Sequence, residues 1–159
     1  MWRSIAVLIL AIGPASAQGL VQRSTPGASP TIRAAEATVR EALARDLSTT
    51  LTAEDKEGDL KRFLAAPLYR VFMKGARDFD GDPFTASQEP ESYAVASISS
   101  TQPSPTRVDV TVRFDVIPSP EIHPVIRYEM TEIAGRWQAN DIFYVTDKHS
   151  LRTLLTRKR

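Results

Sequence analysis

Arg107-Val108-Asp109-Val110-Thr111-Val112-Arg113-Phe114-Asp115-Val116 is the stretch on which the fold turns. Val108, Val110, Val112, Phe114 and Val116 alternate with Arg107, Asp109, Thr111, Arg113 and Asp115 without a break. Successive side chains of an extended strand point to opposite faces, so the pattern predicts a strand with one buried and one wet face. Pro118-Ser119-Pro120 closes it. Downstream, a strand over about 123–133 sets Ile126, Tyr128 and Met130 opposite Arg127, Glu129 and Thr131, and Gly135 marks the following turn. A further strand over about 136–145 carries Trp137, Ala139, Ile142, Phe143 and Tyr144. Its alternation breaks around Asp141-Ile142-Phe143, which signals a bulge or a change of partner. With a strand over 92–101, the chain has four.

Before residue 92 the apolar period is that of a helix. Ile32, Ala35, Val39 and Leu43 form one stripe of a helix over about 31–46, while Arg33, Glu36, Arg40 and Glu41 face mainly outward. Ser29 and Pro30 supply a cap and a first-turn proline. Thr52-x-x-Asp55 resembles a capping box for a second helix over 53–65, with Leu60, Phe63 and Leu64 inward. Pro67 breaks or restarts the helix, and Leu68, Val71 and Phe72 mark a short third one ending near 75–78. The stretch 78–83 is a loop. Leu151, Leu154 and Leu155 predict a short terminal helix capped by Ser150. Helices first and an antiparallel meander afterwards indicate an α+β domain, its N-terminal helices packed on one face of a curved four-stranded antiparallel sheet.

The chain has 159 residues, 42% hydrophobic and 25% charged, with 20 basic and 19 acidic residues, two histidines and no cysteine. The length suits one domain that buries about two thirds of its unfolded surface. Balanced charge argues against nucleic acid as a partner. Without cysteine there is no thiol nucleophile, disulfide or thiolate metal site. Arg3, the apolar run Ile5–Ile12 and Ala15-Ser16-Ala17 read as a signal peptide over 1–17, cleaved near Ala17-Gln18, with a periplasmic or secreted destination. The run is far shorter than the roughly 20 residues that span a bilayer, and no integral membrane segment is expected in the mature chain. Residues 18–30, rich in Ser, Pro and Gly, read as a flexible leader, and 31–157 as a single α+β domain.

Val108 to Phe114, Ile126-Arg127-Tyr128-Glu129-Met130, Gly135-Arg136-Trp137-Gln138-Ala139-Asn140-Asp141-Ile142 and Leu151-Arg152-x-x-Leu155 follow in an order that resembles the exported bacterial family called domain of unknown function 3828. Gly81-Asp82-Pro83-Phe84-x-x-x-Gln88-Glu89 is similar to it as well. The resemblance spans about 55–155. It implies a nuclear-transport-factor-2-like (cystatin-like) cone whose sheet and helices can enclose an apolar cavity, but no common reaction. Tyr69, Phe72, Phe114, Tyr128 and Trp137 are placed either to line such a cavity or to fill it.

Several constellations are candidates for chemistry. If alternation holds, Asp141 shares a face with Trp137 and Ala139, where a buried carboxylate needs partners or a raised pKa. With His123 or Tyr128 it offers an acid–base set; without them it anchors backbone or an arginine. Asp78, Asp80 and Asp82 alternate like hard oxygen ligands, yet a calcium loop needs a later glycine than Gly81, and a solvated turn is the plainer account. Gln88 and Glu89 stand before the first strand, at a pocket mouth or as organisers of the connection. His149, with Lys148, Arg152, Arg157, Lys158 and Arg159, forms a terminal basic cluster; His123 beside Pro124 reads as a strand-edge residue. No phosphate-binding glycine loop, nucleophile elbow or metalloprotease motif occurs, and no cofactor is called for. The expectation is therefore a small exported, non-catalytic binding or interaction domain, monomeric or weakly dimeric. Its ligand residues would come from Tyr69, Phe72, Gln88, Phe114, Tyr128, Trp137 and Asp141. The alternatives are an acid–base enzyme with Asp141 in an apolar pocket, or a structural dimerising protein.

Overall fold

The first helix starts where its cap stands. In the computed structural model, which describes residues 27–45, 53–75, 79, 81–119 and 121–156, Ser29 is extended and its Oγ accepts the Ile32 N–H at 3.2 Å. Pro30 fills the first helical position, where its missing N–H costs nothing. The helix α1 (Pro30–Leu43) buries Ala35, Val39 and Ala42. Glu36, expected to face outward, is also buried, and its carboxylate accepts the Ser100 hydroxyl at 2.8 Å. α2 (Ala53–Phe63) and α3 (Ala66–Gly75) follow. Pro67 lies in the first turn of α3, where the chain restarts a helix after the break at Leu64-Ala65, as expected. Between the two helices, the Ala65 N–H donates to the Ala139 carbonyl at 2.9 Å, which ties the helical layer to the sheet.

After a 3₁₀ turn (Pro90–Ser92) come β1 (Tyr93–Ser104), β2 (Arg107–Val116), β3 (Val125–Ile133), β4 (Arg136–Tyr144), β5 (His149–Ser150) and α4 (Leu151–Thr156). All strand neighbours are antiparallel, in the order β1-β2-β3-β4-β5. Alternation is realised as expected: Val108, Val110, Val112, Phe114, Ile126, Tyr128 and Met130 are all buried against the helices. The capping role expected of Ser150 also holds, its Oγ accepting the Thr153 N–H at 3.2 Å.

Two expectations about the sheet are corrected. It has five strands rather than four. The chain turns tightly after Tyr144, with Asp147 N–H on the Tyr144 carbonyl and Lys148 at φ +57°, and His149 and Ser150 return to pair with Tyr144 and Phe143. Two residues carry no alternation, so such a strand leaves no sequence pattern. The sheet is also open and uncurled, not a cone. β2 and β3 stay in register from Arg107–Thr131 to Arg113–Val125 without a bulge, and bulges are what bend a sheet toward closure. The irregularities lie outside that pair, in β1 and in β4. In β4, Glu129 faces Asp141 while Met130 faces Ala139, so Asn140 is the inserted residue. This shift is why Asp141 and Ile142 are buried in succession.

The signal segment 1–17, most of the leader, the Thr52-x-x-Asp55 box, Asp78, Asp80 and the last three residues lie outside the described residues. No described helix is long and apolar enough to cross a membrane.

Candidate functional site

A loop packs on the covered sheet face. Asp82 opens it. Its Oδ2 accepts the N–H groups of Phe84 (3.1 Å) and Thr85 (3.0 Å) and the Thr85 hydroxyl (3.2 Å), the pattern of an Asx turn. Its Oδ1 pairs with Arg45 just past α1, both side chains being only 6% exposed. Arg45 in turn lies 4.5 Å over the Phe84 ring. Gly81, at φ +129°, brings the backbone so near Ser87 that a Cβ would stand 2.9 Å from its carbonyl oxygen. From the sheet, the Tyr128 hydroxyl donates to the Phe84 carbonyl (2.6 Å) and the Tyr144 hydroxyl to the Pro83 carbonyl (2.7 Å). Burial, aided by the Asp82 charge, pushes both phenols well up from their usual range.

The aromatic residues weighed either to line or to fill a cavity lie in the core cluster. Tyr128 and Phe114 are fully buried, and Tyr128 stacks on Phe84. Phe72 meets Phe79 edge to face, and Trp137 is buried in the same core. Tyr69 donates to Glu57 at 2.5 Å, and that hydrogen bond holds its phenol up at about 12. Gln88 is exposed on the loop. Phe114 borders a hollow of about 120 Å³ shared with Arg40, Leu43, Tyr93 and Val95.

Asp141 is buried, and its partners are those of an anchor. Oδ1 accepts the N–H groups of Ile142 (2.9 Å) and Arg152 (3.2 Å), and Oδ2 lies 3.8 Å from the Arg152 guanidinium. Arg152 also donates to the Asn140 carbonyl at 2.7 Å, so the bulge and the start of α4 are held together. The residues weighed with Asp141 for acid–base work are engaged elsewhere: His123, in the β2–β3 connection, with Asp115 at 2.8 Å, and Tyr128 with the loop. Asp141→Ala is expected to cost about 2 kcal/mol in urea unfolding, the range of a lost charged hydrogen bond, and Asp141→Asn distinctly less because its carbonyl still accepts from both N–H groups. Equal losses in the two variants would contradict the anchoring role. Of the proposed metal ligands, Asp82 is committed to Arg45 and the turn. Among the described residues no group of three or more His, Asp or Glu side chains is placed to hold a metal ion.

A different site emerges at the β3–β4–β5 end of the uncovered face. Cross-strand pairing puts Arg127 beside Phe143, with the guanidinium 4.4 Å over the ring. The β4–β5 turn adds Val145 and Lys148, β5 adds His149, and Thr153 comes from α4. Together they border a cleft of about 370 Å³. In the sequence Arg127 stands opposite the apolar positions of its strand and His149 in a basic terminus. Only the register, which sets Thr111, Arg127 and Phe143 in one row, shows that they converge.

Neither family models, curated proteins nor solved structures yield a match to this chain. The resemblance to domain of unknown function 3828 therefore does not stand. The nuclear-transport-factor-2-like and cystatin-like cone it implied is replaced by the open five-stranded sheet.

Proposed function

We propose that the protein is a small exported, non-catalytic binding domain that engages its ligand at the uncovered side of the sheet rather than in its interior. One observation carries this reading. The Asp82–Thr85 turn sits on the covered face, and the hydroxyls of Tyr128 and Tyr144 are spent on its carbonyls, so the protein's own chain holds the place an interior ligand would need. The uncovered face stays polar: Arg107 bridges Asp109 and Glu129, and Asn140 donates to Glu129 at 2.7 Å. A face so charged supports a monomer or a weak dimer rather than an obligate one, whose core is mostly apolar. Export rests on Arg3, Ile5–Ile12 and Ala15-Ser16-Ala17.

The test uses a neutral apolar dye such as Nile red, with Trp137 as the reporter inside the fold. The native protein is expected neither to enhance dye emission nor to change its Trp137 fluorescence on addition of dye. Saturable enhancement accompanied by Trp137 quenching would overturn the surface reading. Expression in a bacterium with its own signal, followed by N-terminal sequencing, is expected to find Gln18 first; a retained N-terminus would overturn the export half.

A further inference from the structure

The geometry points to the cleft at Arg127 as a site for a small organic anion, a carboxylate or phosphate head carried on a flat apolar body. Arg45, Arg107 and Arg152 each hold a carboxylate. Arg127 is half-buried, makes no ion pair among the described residues, and its Nε is buried without a hydrogen-bond partner. A shielded guanidinium with open donor capacity is costly unless an acceptor arrives from outside. The rest of the cleft fits such an arrival. Lys148 adds positive charge and donors, the His149 ring adds a polar nitrogen, and none of the residues around the cleft is acidic. Phe143 and the exposed Val145 offer apolar surface beside the charge, and the volume of about 370 Å³ suits a single-ring molecule. Arg127 is already laid flat on Phe143, so its planar fork is ordered before the anion binds, which lowers the entropy lost on binding.

This inference rests on the surface reading above, and the experiment separates the two. Isotope-labelled protein is titrated with phenyl phosphate, benzoate, inorganic phosphate and benzyl alcohol while amide and Arg127 side-chain signals are followed by NMR. Phenyl phosphate or benzoate is expected to saturate with a roughly submillimolar Kd and to shift Arg127, Phe143, Lys148 and His149. Arg127→Gln is expected to weaken that binding about tenfold or more, Arg127→Lys less, and the distant Arg136→Gln not at all. Lys148→Gln, in an exposed turn, is expected to weaken it about threefold and serves if Arg127→Gln fails to fold. Inorganic phosphate binding as tightly as phenyl phosphate would overturn the apolar half of the assignment. Benzyl alcohol binding as tightly would overturn the anionic half, and no saturable shift would overturn both. Shifts elsewhere on the uncovered face would refute this site and leave the surface reading standing, whereas shifts at Tyr69, Phe72 and Trp137 would refute that reading too.

Discussion

Asp82→Ala is expected to lower stability by about 3–5 kcal/mol, enough to unfold most of the molecules of a marginally stable domain. The side chain accepts from the N–H groups of Phe84 and Thr85 and from the Thr85 hydroxyl, while its other oxygen holds Arg45. Truncation leaves the Arg45 guanidinium charged, 6% exposed and deprived of its carboxylate, with the turn amides short of their acceptor. The cost comes from the partners left behind, so the ion pair itself need not be strongly favourable. Combining Asp82→Asn with Arg45→Met tests this. Asparagine keeps an acceptor for the turn and methionine keeps apolar contact with Phe84, so the double variant should lose far less than the sum of Asp82→Ala and Arg45→Met. Chemical denaturation of the variants measures both quantities. A loss of about 1 kcal/mol or less for Asp82→Ala, the worth of an exposed pair, would contradict the buried arrangement.

The second large effect is alkaline. In the unfolded chain Tyr128 and Tyr144 ionise near 10.0, whereas burial, and then the Asp82 charge, keep both phenols protonated to higher pH in the folded protein. The folded state then binds more protons than the unfolded one. Their contribution is fully present below pH 10.0 and declines as pH rises beyond it, by about 1.4 kcal/mol per pH unit for each tyrosine. Two such groups exhaust an ordinary domain's stability within a few pH units. Tyr69 adds to the decline only up to about 12, where its own phenol ionises. Tyr144→Phe and Tyr128→Phe should each cost about 1–3 kcal/mol at neutral pH through the orphaned carbonyl, yet each should make the alkaline decline shallower by one tyrosine's share. Unfolding midpoints followed from neutral pH upward, together with tyrosinate absorbance, check both. A decline unchanged in the phenylalanine variants would show that other groups cause it.

Much of the layering was legible because it is written in local periods. Val108 to Val116 alternates, Ile32 to Leu43 does not, and Ser29, Pro30 and Ser150 mark helix starts within three residues of their partners. What depends on distant partners was not. Asp82 was grouped with Asp78 and Asp80 by spacing, although Thr85 three residues on already hinted at a side-chain-bonded turn; its pairing with Arg45 crosses 37 residues and leaves no local trace. Glu36 was set outside by helical spacing and lies inside because Ser100 offers it a hydroxyl. The cone inferred from a family resemblance depended on curvature, which bulge positions determine, and one inserted residue, Asn140, cannot be distinguished from its neighbours by type. Asp141 is buried, although the inserted Asn140 takes it off the face of Trp137 and Ala139 that alternation assigned to it, and its partners are those of the anchoring alternative.

The loop on the covered face also bears on when this chain can fold. Its ties join Arg45 to Asp82 across 37 residues, Phe84 to Tyr128 across 44, and Pro83 to Tyr144 across 61. Contacts so far apart in sequence lengthen the search and slow folding relative to a helical bundle of the same size. A chain emerging N-terminus first therefore presents its helices and the loop well before β3 and β4 arrive to close over them. Early helices of this kind lack the packing that stabilises short helices in water. Under the export proposed above that delay is useful, since a polypeptide still waiting for its last strands remains threadable.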